Sequence, residues 1–304
     1  MRVAIGIVGF RNSDDIANCL AGLAKQTHQN FTVVICENGG EAAHAEIVSR
    51  FSQRKLGNGV LTIIGAHDNP GYAGGINRVI RSQPMADALW VLNPDTHPEP
   101  ECLAKLISRL KQDDVGIVGG RIVGPSGHLQ SCGGRWRSKL ARVESIGHGW
   151  PAEQQLDIAA IERDLDFQSG ASMLVAQSVI EKIGPMREDY FLYCEEVEWC
   201  VRAKDAGFGI GFAAGATIVH HQGSTTGSGG AVRSRKRLPI FLDERNKINM
   251  VRDLRPAHLW TAIPAALILM ILRYGKALAF RQLSYAIAGW LAGLRNHRGR
   301  PDWF

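Results

Sequence analysis

Apolar residues in the first hundred positions come in short unbroken runs: RVAIGIVG from Arg2, FTVVIC from Phe31, VLTII from Val60 and ALWVLN from Ala88. Runs this long, rich in valine and isoleucine and without alternation, predict strands covered on both faces. Between them the period changes. Ile16, Cys19, Leu20 and Leu23 stand at i, i+3, i+4 and i+7 behind Ser13, the predicted N-cap. Leu103, Leu106, Ile107 and Leu110 repeat the spacing after a proline-rich turn. Strand alternating with helix predicts an α/β fold with a mainly parallel central sheet flanked by helices. Ligands of such sheets bind beyond the carboxyl ends of the strands. That is where WVLNPDTHPEP, residues 90–100, carries Asp95.

The stretch 116–167 is less regular, with glycine-rich turns and strands whose order the pattern does not give. Helical spacing returns over 176–183 and 195–206. A Gly/Ser/Thr-rich segment, 222–237, ends in Arg233, Arg235, Lys236 and Arg237 and reads as a mobile loop. Beyond it, LWTAIPAALILMIL (259–272) is apolar for 14 residues. That is short of the ~20 of a membrane-spanning helix. It is interrupted by Pro264 and flanked by Arg252, Arg255, Arg273, Lys276 and Arg281. Three readings stand: a helix packed on the body, a helix pair lying on a membrane surface, and a spanning helix.

Composition sharpens this picture. With 45% hydrophobic and 21% charged residues the 304-residue chain is globular, not disordered. Six scattered cysteines, without a C-x-x-C pair, suit a reducing compartment and buried thiols. The opening MRVAIGIVGF reads as a strand, not a secretion signal, so the expected location is cytoplasmic. The net charge of +6 is uneven: residues 226–304 hold 14 Lys/Arg against 4 Asp/Glu, and the remainder 21 against 25. A mildly acidic body with a strongly basic tail implies an anionic partner. Interleaved aromatics and nucleic-acid-binding modules are missing, so nucleic acid is not the expected one.

Four stretches carry candidate chemistry. VVICENGG ends the second strand with Glu37-Asn38-Gly39. DNPGYAGGINRVI sets glycines around Tyr72 and opens a helix near Asn77; glycine lets backbone approach a ligand closely. No G-x-G-x-x-G follows the first strand, so this is not the dinucleotide fingerprint. Asn93-Pro94-Asp95 suits Mg²⁺ or Mn²⁺, which take their remaining ligands from water and substrate phosphates. FLYCEEVEWCVRAKDAGF places Glu195, Glu196 and Glu198 at a helix start. Mutual repulsion there would raise at least one carboxyl towards a useful base.

Taken together and in order, these stretches resemble family-two glycosyltransferases, most closely their rhamnosyltransferase-like branch with a GT-A fold. The similar pieces are VAIGIVGFRN with CLAGLAKQT, VVICENGG, NPGYAGGIN, LNPDT, SGASMLV, IGPMREDYFLYCEEVEWCVRAKDAGF and IVHHQGST, covering about residues 1–225. The resemblance implies a catalytic domain over 1–225, with a nucleotide-sugar half to about 98 and an acceptor half from 99; the charge and apolar pattern beyond it are expected to give a basic mobile loop and a helical membrane-surface tail over 226–304.

By position, the resemblance implies that Glu37, Asn38, Asn69, Gly71, Gly74 and Asn77 bind base and ribose, that Asn93 meets the donor within the metal motif, and that Gly170 and Ala171 leave room beside the sugars. Asp95 and His220 (or His221) would hold Mg²⁺ or Mn²⁺. Glu196 would be the base, with Glu195 beside it and Glu198 and Arg202 completing the motif. Apart from the resemblance, Arg233, Arg235, Lys236 and Arg237 read most simply as a solvated basic run, with the expectation that they close over a diphosphate when substrate binds. Asn93 stands where the family has a carboxylate, Glu-Glu replaces Glu-Asp, and Glu37 replaces an Asp.

The implied activity is inverting transfer of a hexose, rhamnose as first guess, in surface polysaccharide synthesis. The donor would be a nucleotide diphosphate sugar and the acceptor a glycan or polyprenyl-diphosphate-linked glycan. The enzyme would sit peripherally on the cytoplasmic face of the inner membrane, its C-terminal helices being a candidate oligomer contact. The alternatives are a degenerate nucleotide- or glycan-binding protein and a sugar nucleotidyltransferase, for which GFRNSDD after the first strand is a poor phosphate loop.

Overall fold

The apolar runs form the strands that their pattern predicts. In the computed structural model, which describes residues 1–112, 115–221 and 231–304, one sheet is built from nine strands. These are β1 (Val3–Gly9), β2 (Phe31–Glu37), β3 (Thr62–Gly65), β4 (Ala88–Leu92), β5 (Thr96–Pro98), β6 (Val115–Val123), β7 (Leu129–Ser131), β8 (Ser172–Ala176) and β9 (Gly209–His220). All seven β1 residues are buried. Ile5 and Ile7 face one core cluster, and Ala4 and Val8 face the other. Burial on both faces is why this run does not alternate.

Helices α1 (Ser13–Leu23), α2 (Glu41–Phe51), α3 (Gly71–Ser82), α4 (Cys102–Leu110), α5 (Ile158–Asp164), α6 (Gln177–Ile183) and α7 (Glu195–Asp205) flank the sheet. Ser13 is the first residue of α1, not its cap: Asn12 holds that position. The Ser13 hydroxyl bonds Glu46 and accepts from Arg50 on α2.

The sheet runs β3-β2-β1-β4-β8-β6-β9-β5, with β7 on β6. Its first four strands are parallel. It then becomes mixed, because β8 inserts antiparallel between β4 and β6. Three residues separate β4 from β5, yet β5 lies on the far edge beside β9. The sheet curls to bring the two together, and a register shift in β9 between Phe212 and Thr217 marks the bend. Gly120 permits it, since a Cβ there would lie 2.2 Å from the Ala216 carbonyl oxygen. The curl sets His220 opposite Thr96, one residue past Asp95.

The basic C-terminal region is three helices, α8 (Arg237–Leu254), α9 (Leu259–Lys276) and α10 (Phe280–Leu294). Most of the loop before them, through Gly230, lies outside the described residues. Helix α8 is an inner element: Arg245 and Asn246 are buried. Helix α10 lies close against it, because a Cβ at Gly289 would meet the Phe241 carbonyl oxygen at 2.3 Å. An ion cluster fastens this region to the body. Asp253 accepts from Tyr190 Oη at 2.6 Å and from Arg298 at 2.7 and 2.8 Å. Arg187 adds a contact at 2.9 Å. Burial alone would raise the Asp253 carboxyl, but these bonds and charges hold it below the ordinary range.

Candidate functional site

The carboxyl ends of β1 and β4, the amino end of the antiparallel β8 and the start of α7 open onto one cavity of about 470 Å³. Asn38, Asn69, Gly71, Asn93, Asp95, Gly170, Ala171, Glu195, Glu196 and His220 all line it. Asp95 and Glu196, far apart in the chain, therefore share a cleft. The charges of Glu195, Glu196 and Asp95 all raise the Tyr72 hydroxyl, after its own burial. That hydroxyl donates to the Gly170 carbonyl at 2.8 Å, joining the first turn of α3, which opens at Gly71 and not at Asn77, to the opposite wall. Gly71 is required where it stands. Its φ is +76°, and a Cβ would sit 2.0 Å from the Phe191 carbonyl oxygen.

Other expected residues are spent on architecture. Glu37 is fully buried and does not line the cavity; its Oε1 accepts from the backbone N–H groups of Arg11 and Gly39 and shapes the turn after β2. Gly74 lets α3 pack on Pro70, 2.5 Å from where a Cβ would be. Asn77 clamps α3 to the Met186 backbone, donating to its carbonyl at 2.8 Å and accepting from its N–H at 3.0 Å. Glu198 is engaged by Arg202, whose guanidinium also donates to the Ile183 and Pro185 carbonyls. Arg233 donates to the Ala277 carbonyl at 2.6 Å, not into the cavity. Arg235 does not line it either. Of the four basic residues, only Lys236 reaches the cavity wall.

His220 and His221 are neighbours at the end of β9, and the pleat sends them opposite ways. His220 turns inward, with Nε2 3.2 Å from Asp95 Oδ1, while His221 is exposed. Gln130, which sequence reasoning missed, sets the imidazole. Its amide nitrogen donates to the His220 carbonyl at 2.9 Å, so its oxygen faces His220 Nδ1, also at 2.9 Å. Nδ1 therefore carries a proton, and Nε2 is the ring nitrogen turned towards the carboxylate. Two acceptors at that distance are stable with a cation or proton between them. An imidazole, a carboxylate oxygen and the adjacent Asn93 make a donor set that fits a divalent ion whose remaining ligands come from a diphosphate and water. Among the described residues no cluster of three His, Cys, Asp or Glu exists to hold a metal without such help.

The family model for glycosyltransferase-like family 2 matches residues 2–238. The chain is a family-two glycosyltransferase. It is 24% identical over 311 residues to the low-salt glycan biosynthesis hexosyltransferase Agl10 of Haloferax volcanii, covering 99% of this chain and 93% of that one. It is 26% identical over 251 residues to an N-acetylglucosaminyl-diphospho-decaprenol L-rhamnosyltransferase of Mycobacterium tuberculosis, covering 75% and 79%. The mannosyltransferase PcManGT of Pyrobaculum calidifontis, solved with GDP-Man and Mn²⁺, superposes with a TM-score of 0.58 at 15% identity, over 97% of this chain and 87% of that one. The fold is therefore GT-A.

In this glycosyltransferase the two cavity glutamates differ in setting. Glu195 is buried, and its Oε2 has no hydrogen-bond partner among the described residues. Glu196 is half-buried beside Gly170. Burial raises both carboxyls; the Glu196 charge raises Glu195 further, and Asp243 adds to Glu196. A carboxyl raised by folding contributes stability below its unfolded value of ~4.3, and loses it as pH rises through the folded value. Glu195→Gln should therefore melt above the parent at pH 8, with the gap closing towards pH 5. Parallel melting curves across that range would show Glu195 to be ionised at no cost.

Sequence reasoning also missed Leu238 and Phe304, which line the cavity from the C-terminal region. Phe304 stacks edge-on to Phe191 with ring centroids 6.1 Å apart. Neither had a motif to flag it.

Proposed function

We propose that this glycosyltransferase moves a hexosyl group, rhamnose being the first candidate, with inversion, from a nucleotide diphosphate sugar to a lipid-diphosphate-linked glycan. The observation that carries this reading is the shared cavity: the Asp95–His220 pair lies on one wall and Glu196 on another. Asn38, Asn69 and Gly71 would take the nucleoside, and the small residues Gly170 and Ala171 leave room for the sugar. Glu196 takes the proton of the acceptor hydroxyl. The acceptor oxygen bonds the anomeric carbon as the bond from that carbon to the diphosphate breaks, and the nucleoside diphosphate leaves. A divalent ion, when bound, neutralises charge gathering on that leaving group. Asp95 and His220 would hold it, Mn²⁺ and Mg²⁺ being the candidates. The reading extends to a catalytic body over 1–225 and a tail over 226–304, working at the cytoplasmic face of a membrane in polysaccharide synthesis.

The test is transfer from a panel of nucleotide sugars with Mn²⁺ or Mg²⁺ to a polyprenyl-diphosphate-linked acceptor, with the product's anomeric configuration read by NMR. Asp95→Ala should lower kcat ~10²–10³-fold, the loss typical when charge stabilisation of a leaving oxyanion is removed. Donor binding without turnover would instead identify a nucleotide-binding protein with a silent site. A product retaining the donor's configuration would overturn the inverting mechanism.

A further inference from the structure

Helix α9 has two opposed faces. Ala262, Ala266, Met270 and Tyr274, four residues apart, are buried against α8, α10 and the body. Trp260, Ile268, Ile271 and Leu272 form an outward stripe, with Trp260 80% exposed. The stripe continues onto the turn before α10 through Leu278 and Phe280, at 62% and 67% exposed. Six large apolar side chains exposed along one helix face and the turn after it mark a binding face. Its charge is one-sided: from Leu254 to Pro301 the chain has no Asp or Glu. Arg273, Lys276 and Arg281 are exposed around the end of the stripe.

The faces identify the occupant. A second copy packed across this stripe would set the Arg273, Lys276 and Arg281 rims against one another, with no acid to offset them. Crossing a bilayer would suit the length of Pro256–Lys276, 21 residues. It would also draw whatever packs on the helix into the hydrocarbon, where irregular backbone and polar side chains are costly. The body occupies one side throughout: Ser138 Oγ bonds His258 Nδ1 at 2.9 Å, and Trp290 Nε1 donates to the Ile263 carbonyl at 3.1 Å.

We infer that the outward stripe of α9 and the Leu278–Phe280 turn form a docking face that lies in the headgroup layer of an anionic lipid bilayer. Trp260, Ile268 and Leu272 enter the acyl boundary, and Arg273, Lys276 and Arg281 meet the lipid phosphates. The face is coupled to the cavity. Arg233 holds the Ala277 carbonyl on this turn, and Gln282 donates back to the Arg233 carbonyl. Three residues on, Lys236 lines the cavity. A lipid-borne diphosphate would thus enter beside an ammonium group anchored to the membrane face. This last point rests on the proposed acceptor; the docking face does not.

The experiment is flotation of the full chain with phosphatidylglycerol–phosphatidylethanolamine vesicles and with phosphatidylcholine vesicles, alongside light scattering without lipid. The parent should float with the anionic vesicles. The double variant Ile268→Asn, Leu272→Asn, both exposed, should bind ~100-fold more weakly, as loss of two buried side chains requires. It should melt like the parent and bind nucleotide sugar unchanged. Charge reversal at Arg273, Lys276 and Arg281 should abolish the preference for phosphatidylglycerol. Equal flotation of parent and variants overturns the proposal, as does a parent dimer that the Asn substitutions dissociate. Vesicle binding with no donor binding would sink the enzymatic reading and leave the docking face standing.

Discussion

Glu196→Gln is expected to lower kcat ~10²–10⁴-fold, the usual span for loss of a general base, while donor affinity stays within a factor of about three. The amide keeps the shape of the side chain but cannot take the acceptor's proton. Both line the cavity, and Glu196 is assigned over Glu195 because it is the more exposed of the two. Burial raises the Glu196 carboxyl first, and the Asp243 charge adds to it. A base must be ionised to act, so activity should rise with pH through a value above the ordinary ~4.3 of a glutamate. The acid limb of the kcat/KM profile reads this directly. If Glu195→Gln is the inactive variant and Glu196→Gln is not, the roles are exchanged.

Asn246→Ala should cost both stability and turnover, although Asn246 does not line the cavity. Its amide nitrogen lies 3.0, 2.9 and 2.8 Å from the carbonyl oxygens of Tyr190, Leu192 and Tyr193. That loop holds Phe191, Tyr193 and Cys194 at φ of 68°, 71° and 72°, a region non-glycine residues avoid. Such residues cost of order 1–3 kcal/mol each and persist only where the surroundings impose them. The loop runs directly into Glu195 and Glu196, so α8 holds the start of α7 in place. Taking this donor from the Leu192 and Tyr193 carbonyls, while Tyr190 keeps that of Arg245, should cost on the order of 3 kcal/mol, lowering Tm by ~5 °C.

The loop should then relax and carry Glu196 out of register, so kcat falls as well. Asn246→Asp keeps the acceptor for Arg245 Nε, now at 2.9 Å, and removes the donors. It should behave like the alanine variant. Normal turnover in either, with only Tm reduced, would make the contact structural alone.

The elements were legible because their causes are local. Ile5 and Ile7 alternate with Ala4 and Val8 in a run apolar throughout, and the i, i+3, i+4 spacings of α1 and α4 put one face inward. Asp95 was legible for the same reason: a strand must end somewhere, and a carboxylate at that end is visible in the chain. The glutamates of α7 were visible as an excess over what a helix start needs.

What remained hidden depends on contacts between distant residues, which no window of sequence contains. Spacing along the chain does not show that Glu37, Gly74 and Asn77 meet Arg11, Pro70 and Met186 and serve turns and packing. The antiparallel insertion of β8 and the curl of β9 decide that His220, not His221, meets Asp95. Gln130 and Asn246 carry no motif, and their roles exist only once the chain has closed. Residue type and spacing along this chain determined which segments are strands or helices and which groups have the chemistry. Folding decided which of those groups face a common cavity, because burial, strain and hydrogen-bond satisfaction are properties of the whole packed molecule.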